Sequence, residues 1–155
     1  MNYLATTKDD MINGEGLRVV LWVAGCSHKC QNCQNPHSWN ENNGIPFTEE
    51  TKQELFRELE KDYISGITFS GGDPLYINNR ETITNLCKGI KEKFPNKNIW
   101  LYTGYVYEEV QDLEIMKYID VLIDGPYIES KRDIDLEWRG SSNQRIIKMK
   151  ELQNK

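Results

Sequence analysis

The sequence predicts an α/β domain built on a parallel sheet, and three observations carry that prediction. Short, nearly continuous apolar runs alternate with stretches whose apolar residues recur at helical spacing. Their order, strand then helix repeated to a fourth strand, is that of βαβ units with right-handed crossovers. The chain has 155 residues, 38% hydrophobic and 28% charged, which suits one domain with a substantial core.

The predicted strands are Arg18–Ala24, Gly66–Phe69, Asn98–Tyr102 and Ile119–Ile123. Their unbroken apolar character suits strands covered on both faces. The first predicted helix, Thr48–Lys61, carries Leu55, Phe56 and Leu59 on one face, with Thr51 and Glu54 spaced as a capping box. The second, Asn79–Phe94, aligns Ile83, Leu86, Cys87, Ile90 and Phe94, and Pro95 stops it. The third, Tyr107–Tyr118, offers Val110, Leu113 and Met116. Gly125-Pro126-Tyr127 reads as a turn leaving the last strand, Trp138 to Arg145 has no clear period, and Lys148–Lys155 is charged. With no repeat, low-complexity tract or linker, residues 1–155 form one domain, with a core over about 14–125 and a tail over 126–155.

A net charge of −5 argues against non-specific binding to nucleic acid. The longest apolar run, Val19–Cys26, falls far short of the ~20 residues that span a membrane. The first ten residues lack the apolar region of a secretory signal, so a reducing, cytoplasmic location is expected. In that compartment the 4 cysteines read as metal ligands or core residues rather than disulfides.

Three of them, Cys26, Cys30 and Cys33, lie in one polar loop directly after the first predicted strand, spaced C-x3-C-x2-C. Such a loop can wrap its sulfurs around one face of a [4Fe–4S] cube, leaving the fourth iron without a protein thiolate and open to a ligand. A structural zinc site of Cys26, Cys30, Cys33 and His37 is the competing reading, since both metals take thiolate-rich sites. Incidental packing of three thiols in a polar loop is a further, blander alternative. Cys87, on the apolar helix face, reads as core.

In parallel α/β folds reactive loops gather at the carboxyl ends of strands. The second predicted strand ends in Ser70-Gly71-Gly72-Asp73-Pro74, the third in Thr103-Gly104-Tyr105 and the fourth in Asp124-Gly125-Pro126. With the cysteine loop, these ends describe a ligand-binding mouth, at which bare glycine backbone lets a ligand approach.

The cysteine spacing after the first strand and the Gly-Gly motif after the second resemble the radical S-adenosylmethionine superfamily. Within it the chain is similar to the activating proteins of anaerobic ribonucleoside-triphosphate reductases. That similarity is carried by the short length, Asn13-Gly14-Glu15-Gly16, Ser70–Leu75, Trp100–Tyr105, Asp120–Gly125 and Trp138-Arg139-Gly140-Ser141-Ser142-Asn143-Gln144. Two positions depart from the family pattern: Gln34, where an aromatic residue usually follows the third cysteine, and Glu15, where Pro is common.

The resemblance implies an iron–sulfur activase whose cluster is held by Cys26, Cys30 and Cys33. Its open iron would bind S-adenosylmethionine, which is cleaved after one-electron reduction so that a glycyl radical forms on the reductase or, as the alternative, on another glycyl-radical enzyme. It further implies that Asn32, Cys33 and Gln34 line the adenine, and that Gly71, Gly72 and Asp73 receive the methionine end. Thr103 would contact ribose or carboxylate. His28 and Lys29 are expected to be solvated or to lie behind the ligands. Implied partners are the reductase large subunit and a low-potential electron donor such as flavodoxin. So short a chain implies a partial radical SAM barrel, open on one side to a protein loop. Trp138 to Arg145 is either a docking element or packing on the sheet edge.

Overall fold

The structure is a computed structural model that describes residues 1–28 and 36–153. Its strands are β1 (Asn2–Asp10), β2 (Leu17–Val23), β3 (Ile45–Pro46), β4 (Ile64–Gly71), β5 (Asn98–Tyr102), β6 (Val121–Asp124) and β7 (Arg145–Lys148). Its helices are α1 (Glu49–Leu59), α2 (Arg80–Lys93), α3 (Tyr107–Val110) and α4 (Met149–Gln153). The seven strands form one sheet in the order β3-β1-β2-β4-β5-β6-β7.

The four strands legible in the sequence, β2, β4, β5 and β6, are the parallel centre. The sheet as a whole is mixed, which corrects the expectation of a parallel sheet outside its four central strands. β1 runs antiparallel to β2, β3 to β1, and β7 to β6. These three flanking strands escape a reading by apolar runs for physical reasons. β1 is half-buried and polar, ending in Lys8, Asp9 and Asp10, while β3 and β7 are only 2 and 4 residues long.

Helix ends follow local chemistry. Thr48, in extended backbone, caps α1: its Oγ1 accepts from Thr51 N at 3.4 Å, and Thr51 Oγ1 accepts from Thr48 N at 3.3 Å. The box is therefore three residues earlier than Thr51 and Glu54 would place it, and Glu49 and Glu50 fall in the first turn, where they complement the helix dipole. α2 runs as expected between Asn79 and Phe94. The expected helix over Tyr107–Tyr118 is broken into α3 and a 3-10 turn at Glu114–Lys117, with Leu113 extended between them. An unbroken helix would turn Leu113 and Ile115 about 200° apart. The break lets Val110, Leu113, Ile115 and Met116 all reach the same core.

Alternate strand residues face two different environments. Val19, Leu21, Ile67, Phe69, Ile99, Leu101 and Leu122 pack beneath α1 and α2, against Leu55, Leu59, Ile83, Cys87 and Ile90. On the other face Trp100, Val121 and Ile123 form a separate cluster, covered by Tyr102, Trp138 and Ile146. Arg18 lies on this second face, fully buried between β2, β4 and β5. It donates to Thr68 Oγ1 at 2.8 Å, to the carbonyls of Glu15 and Ile67 at 2.9 Å and to that of Asn98 at 3.2 Å. Its guanidinium also lies 5.3 Å from the Trp100 ring centroid. Burial pushes its ionisation down to about 10, still well above neutrality.

Truncating Arg18 strands these acceptors and opens a cavity beside Trp100. Arg18→Ala is expected to lower unfolding free energy in urea by about 3 kcal/mol or more. A loss under about 1 kcal/mol would show that the guanidinium is not the tie across the sheet.

Candidate functional site

The cysteine loop leaves the carboxyl end of β2, and its base is held by backbone hydrogen bonds. Gly25 N donates to Ser38 O at 2.7 Å and Cys26 N to Trp39 O at 3.2 Å, which closes the loop where the chain returns. From the next strand, Gly72 N donates to Val23 O at 2.8 Å and Asp73 N to Gly25 O at 2.7 Å. The Asn79 side-chain amide, freed from capping α2, donates to Ala24 O at 2.8 Å and Asp73 O at 3.2 Å.

These approaches explain the two glycines. Gly71 has φ +107°, and a Cβ there would lie 2.5 Å from the backbone N and O of Val23. At Gly72 a Cβ would meet Gly25 O at 2.5 Å and Ser38 O at 2.8 Å. Glycine is thus required by close packing of the chain on itself, a demand separate from any ligand. The opposite side of the pair is open and lines a cavity of about 530 Å³ at the strand ends.

That cavity brings together much of the expected mouth. Cys26, Gly71, Gly72 and Thr103 line it, as do Gly104 and Gly125 from the ends of β5 and β6. Cys30, Cys33, Asn32 and Gln34 lie outside the described residues, as do Lys29 and the side chain of His37. Cys26 is half-buried; Cys87 is fully buried in the helical core, where burial pushes its thiol far above the ordinary range.

Asp73 is turned inward and is fully buried. Its Oδ1 accepts from Leu75 N at 2.8 Å, while Oδ2 accepts from Thr103 Oγ1 and Gly104 N, each at 3.0 Å. His28 Nε2 reaches the same Oδ2 at 2.7 Å. Of the two places expected for His28, solvated or behind the ligands, the first does not hold: only 16% of its side chain is exposed. Thr103 is on the cavity wall, but its hydroxyl proton is committed to Asp73. Cys26, His28 and Asp73 place one ligand atom each within 4.8 Å of one another.

The far wall is made by the tail, which the sequence showed only as aperiodic. Trp138, at φ +59°, stands edge-on to Trp100 with centroids 4.9 Å apart, so it packs on the inner face of the sheet. Gln144 fixes the turn beside it: Oε1 accepts from Gly140 N at 2.9 Å and Nε2 donates to Gly125 O at 3.0 Å. Arg139 donates to Gln144 O at 2.9 Å through Nη1, and its buried Nε has no hydrogen-bond partner among the described residues. Trp22 and Tyr102 add aromatic surface from β2 and β5. Their position on alternate strand residues, with Arg18, was the available signal for this second face.

Asp73→Ala removes the acceptor of four donors and is expected to cost about 2–4 kcal/mol in urea unfolding, with Asp73→Asn losing less. Equal stability of all three proteins would contradict the role given to this carboxylate.

Residues 12–147 match the family model described as a 4Fe-4S single cluster domain. The chain is 51% identical over 146 residues to the anaerobic ribonucleoside-triphosphate reductase-activating protein of Enterobacteria phage T4, covering 94% of this chain and 93% of that one. It is 43% identical over 154 residues to the protein of that name from Haemophilus influenzae, covering 97% and 99%. For the one from Escherichia coli (strain K12) the identity is 39% over 148 residues, covering 93% and 96%. On these similarities the chain belongs to the family of anaerobic ribonucleoside-triphosphate reductase-activating proteins.

Proposed function

We propose that this chain is a radical S-adenosylmethionine activase that forms the glycyl radical of an anaerobic ribonucleoside-triphosphate reductase. The observation that carries the reading is the half-buried Cys26 at the rim of a cavity floored by Gly71 and Gly72, in a chain that matches a 4Fe-4S single cluster domain. The donor set fits such a cluster: Cys26 lines the cavity, and two further cysteines, Cys30 and Cys33, follow it closely in sequence. A reduced [4Fe–4S] cluster, when bound, supplies the electron that cleaves S-adenosylmethionine and so begins hydrogen abstraction from a glycine of the reductase.

The chain's own residues hold and orient. Cys26, Cys30 and Cys33 ligate the cluster, and Asn32 to Gln34 border the adenine. The open backbone of Gly71 and Gly72 takes the methionine end, with Asp73 fixing their position from behind. Arg139, held by its hydrogen bond to Gln144 O, is part of the cavity lining and brings a positive charge there, suited to a carboxylate. Trp22, Tyr102 and Trp138 supply apolar walls that exclude water.

A protein substrate needs an open mouth, and the rim suits one. Ile12 is 78% exposed beside Met11, and Ile134 is 82% exposed in the segment that brings Leu136 to the cavity. The mixed seven-stranded sheet serves as a partial radical SAM barrel whose open side admits the glycine loop. The reductase large subunit and a low-potential donor such as flavodoxin are the partners, and the cytoplasm is the location. Among the described residues no helix is long and apolar enough to cross a membrane.

Anaerobic mixing with the partner reductase, S-adenosylmethionine and a reductant is expected to give the doublet of a glycyl radical in electron paramagnetic resonance. Single Ala variants of Cys26, Cys30 and Cys33 should abolish it and lose most iron, while His37→Ala and Cys87→Ala keep theirs. A colourless protein with one zinc lost in His37→Ala would instead make this a zinc-stabilised binding module.

A further inference from the structure

His28 sits in a notch shaped for its ring. Nε2 donates to buried Asp73 Oδ2 at 2.7 Å, and the ring stands edge-on to Tyr105 with centroids 4.5 Å apart. Its floor is Gly104, where the three nearest atoms to an added Cβ all belong to the imidazole, at 2.4 to 2.8 Å. Gly104 has no positive φ, so space for this ring, and not backbone conformation, is what requires glycine there. The residue two places from Cys26 is thus keyed to the ends of both β4 and β5.

We propose that His28 is the latch of the cysteine loop. It fixes the Cys26 thiol against Gly71-Gly72, so that the site is ordered before its ligands arrive. Asp73 Oδ2 is the bolt: the same oxygen accepts from Thr103 and Gly104, so the loop, the glycine pair and the β5 end share one anchor. His28 is then a positioning residue, acting through Cys26 and not by touching the reacting atoms. Without the latch the loop samples other arrangements, and binding carries the cost of ordering it. The inference rests on the cluster and S-adenosylmethionine reading for what the latch serves, but the latch itself is a property of the metal-free chain.

Two measurements separate the ideas. In metal-free protein, amide hydrogen exchange around Cys26 is expected to quicken in His28→Ala and Gly104→Ala, with the sheet core unchanged. His28→Gln, whose amide reaches Asp73, should restore protection. The double variant should be no worse than either single one, because Gly104→Ala acts only by expelling the ring. In anaerobically reconstituted protein, the dissociation constant for S-adenosylmethionine should rise about tenfold in both single variants, as for loss of one hydrogen bond to a charged group. Unchanged exchange at Cys26, or additive losses in the double variant, overturn the latch. Equal S-adenosylmethionine affinity in variants and parent also overturns its functional role while leaving the cluster reading intact. If the parent takes up no iron, the cluster reading fails and the exchange data alone decide the latch. Loss of one tightly bound zinc in His28→Ala would overturn it too, showing that Cys26, His28 and Asp73 form a metal site.

Discussion

One buried carboxylate ties the functional end of this protein together. Asp73 receives hydrogen bonds from its own turn, from the end of β5 and from the cysteine loop, through four donors on two oxygens. A carboxylate withdrawn from water is tolerated only when so fully paired. The same completeness makes it a rigid node, since no donor can leave without stranding charge. The segments that follow β2, β4 and β5 are thereby joined at one point beside the cavity, the first of them through His28.

The sheet supports that node by dividing its labour between faces. The helical face holds the large apolar core, including inert Cys87. The other face is smaller and of mixed chemistry, with buried Arg18 at the amino-terminal ends of the parallel strands and the cavity at their carboxyl ends. Arg18 meets carbonyls, a hydroxyl and an indole rather than a carboxylate. Its burial is therefore satisfied by hydrogen bonds to neutral groups. The tail returns over the same face through Trp138 and β7, and Asp124 secures it by receiving Arg145 and the amide of Tyr107.

The parallel centre was legible because β2, β4, β5 and β6 are buried on both faces and read as apolar runs. β1 and β7 were not, since edge and flanking strands carry polar residues and few positions; nothing local marks Asn2–Asp10 as strand without its partner β2. The cysteine spacing and the glycine pair stood out from residue types alone. What they do structurally did not: Gly71 and Gly72 are small because Val23, Gly25 and Ser38 crowd them. Likewise His28 looked like any polar loop residue, because its partners Asp73, Gly104 and Tyr105 lie 45 or more positions away. Long-range pairing of this kind leaves a faint sequence trace, here the glycine of Thr103-Gly104-Tyr105.

The most direct test of the account is electron paramagnetic resonance of the anaerobically reconstituted, reduced protein with and without S-adenosylmethionine. A [4Fe–4S] signal is expected whose shape changes when S-adenosylmethionine is added, as an iron without a protein thiolate requires. A cluster signal indifferent to S-adenosylmethionine, or a protein that accepts zinc but no cluster, would contradict it.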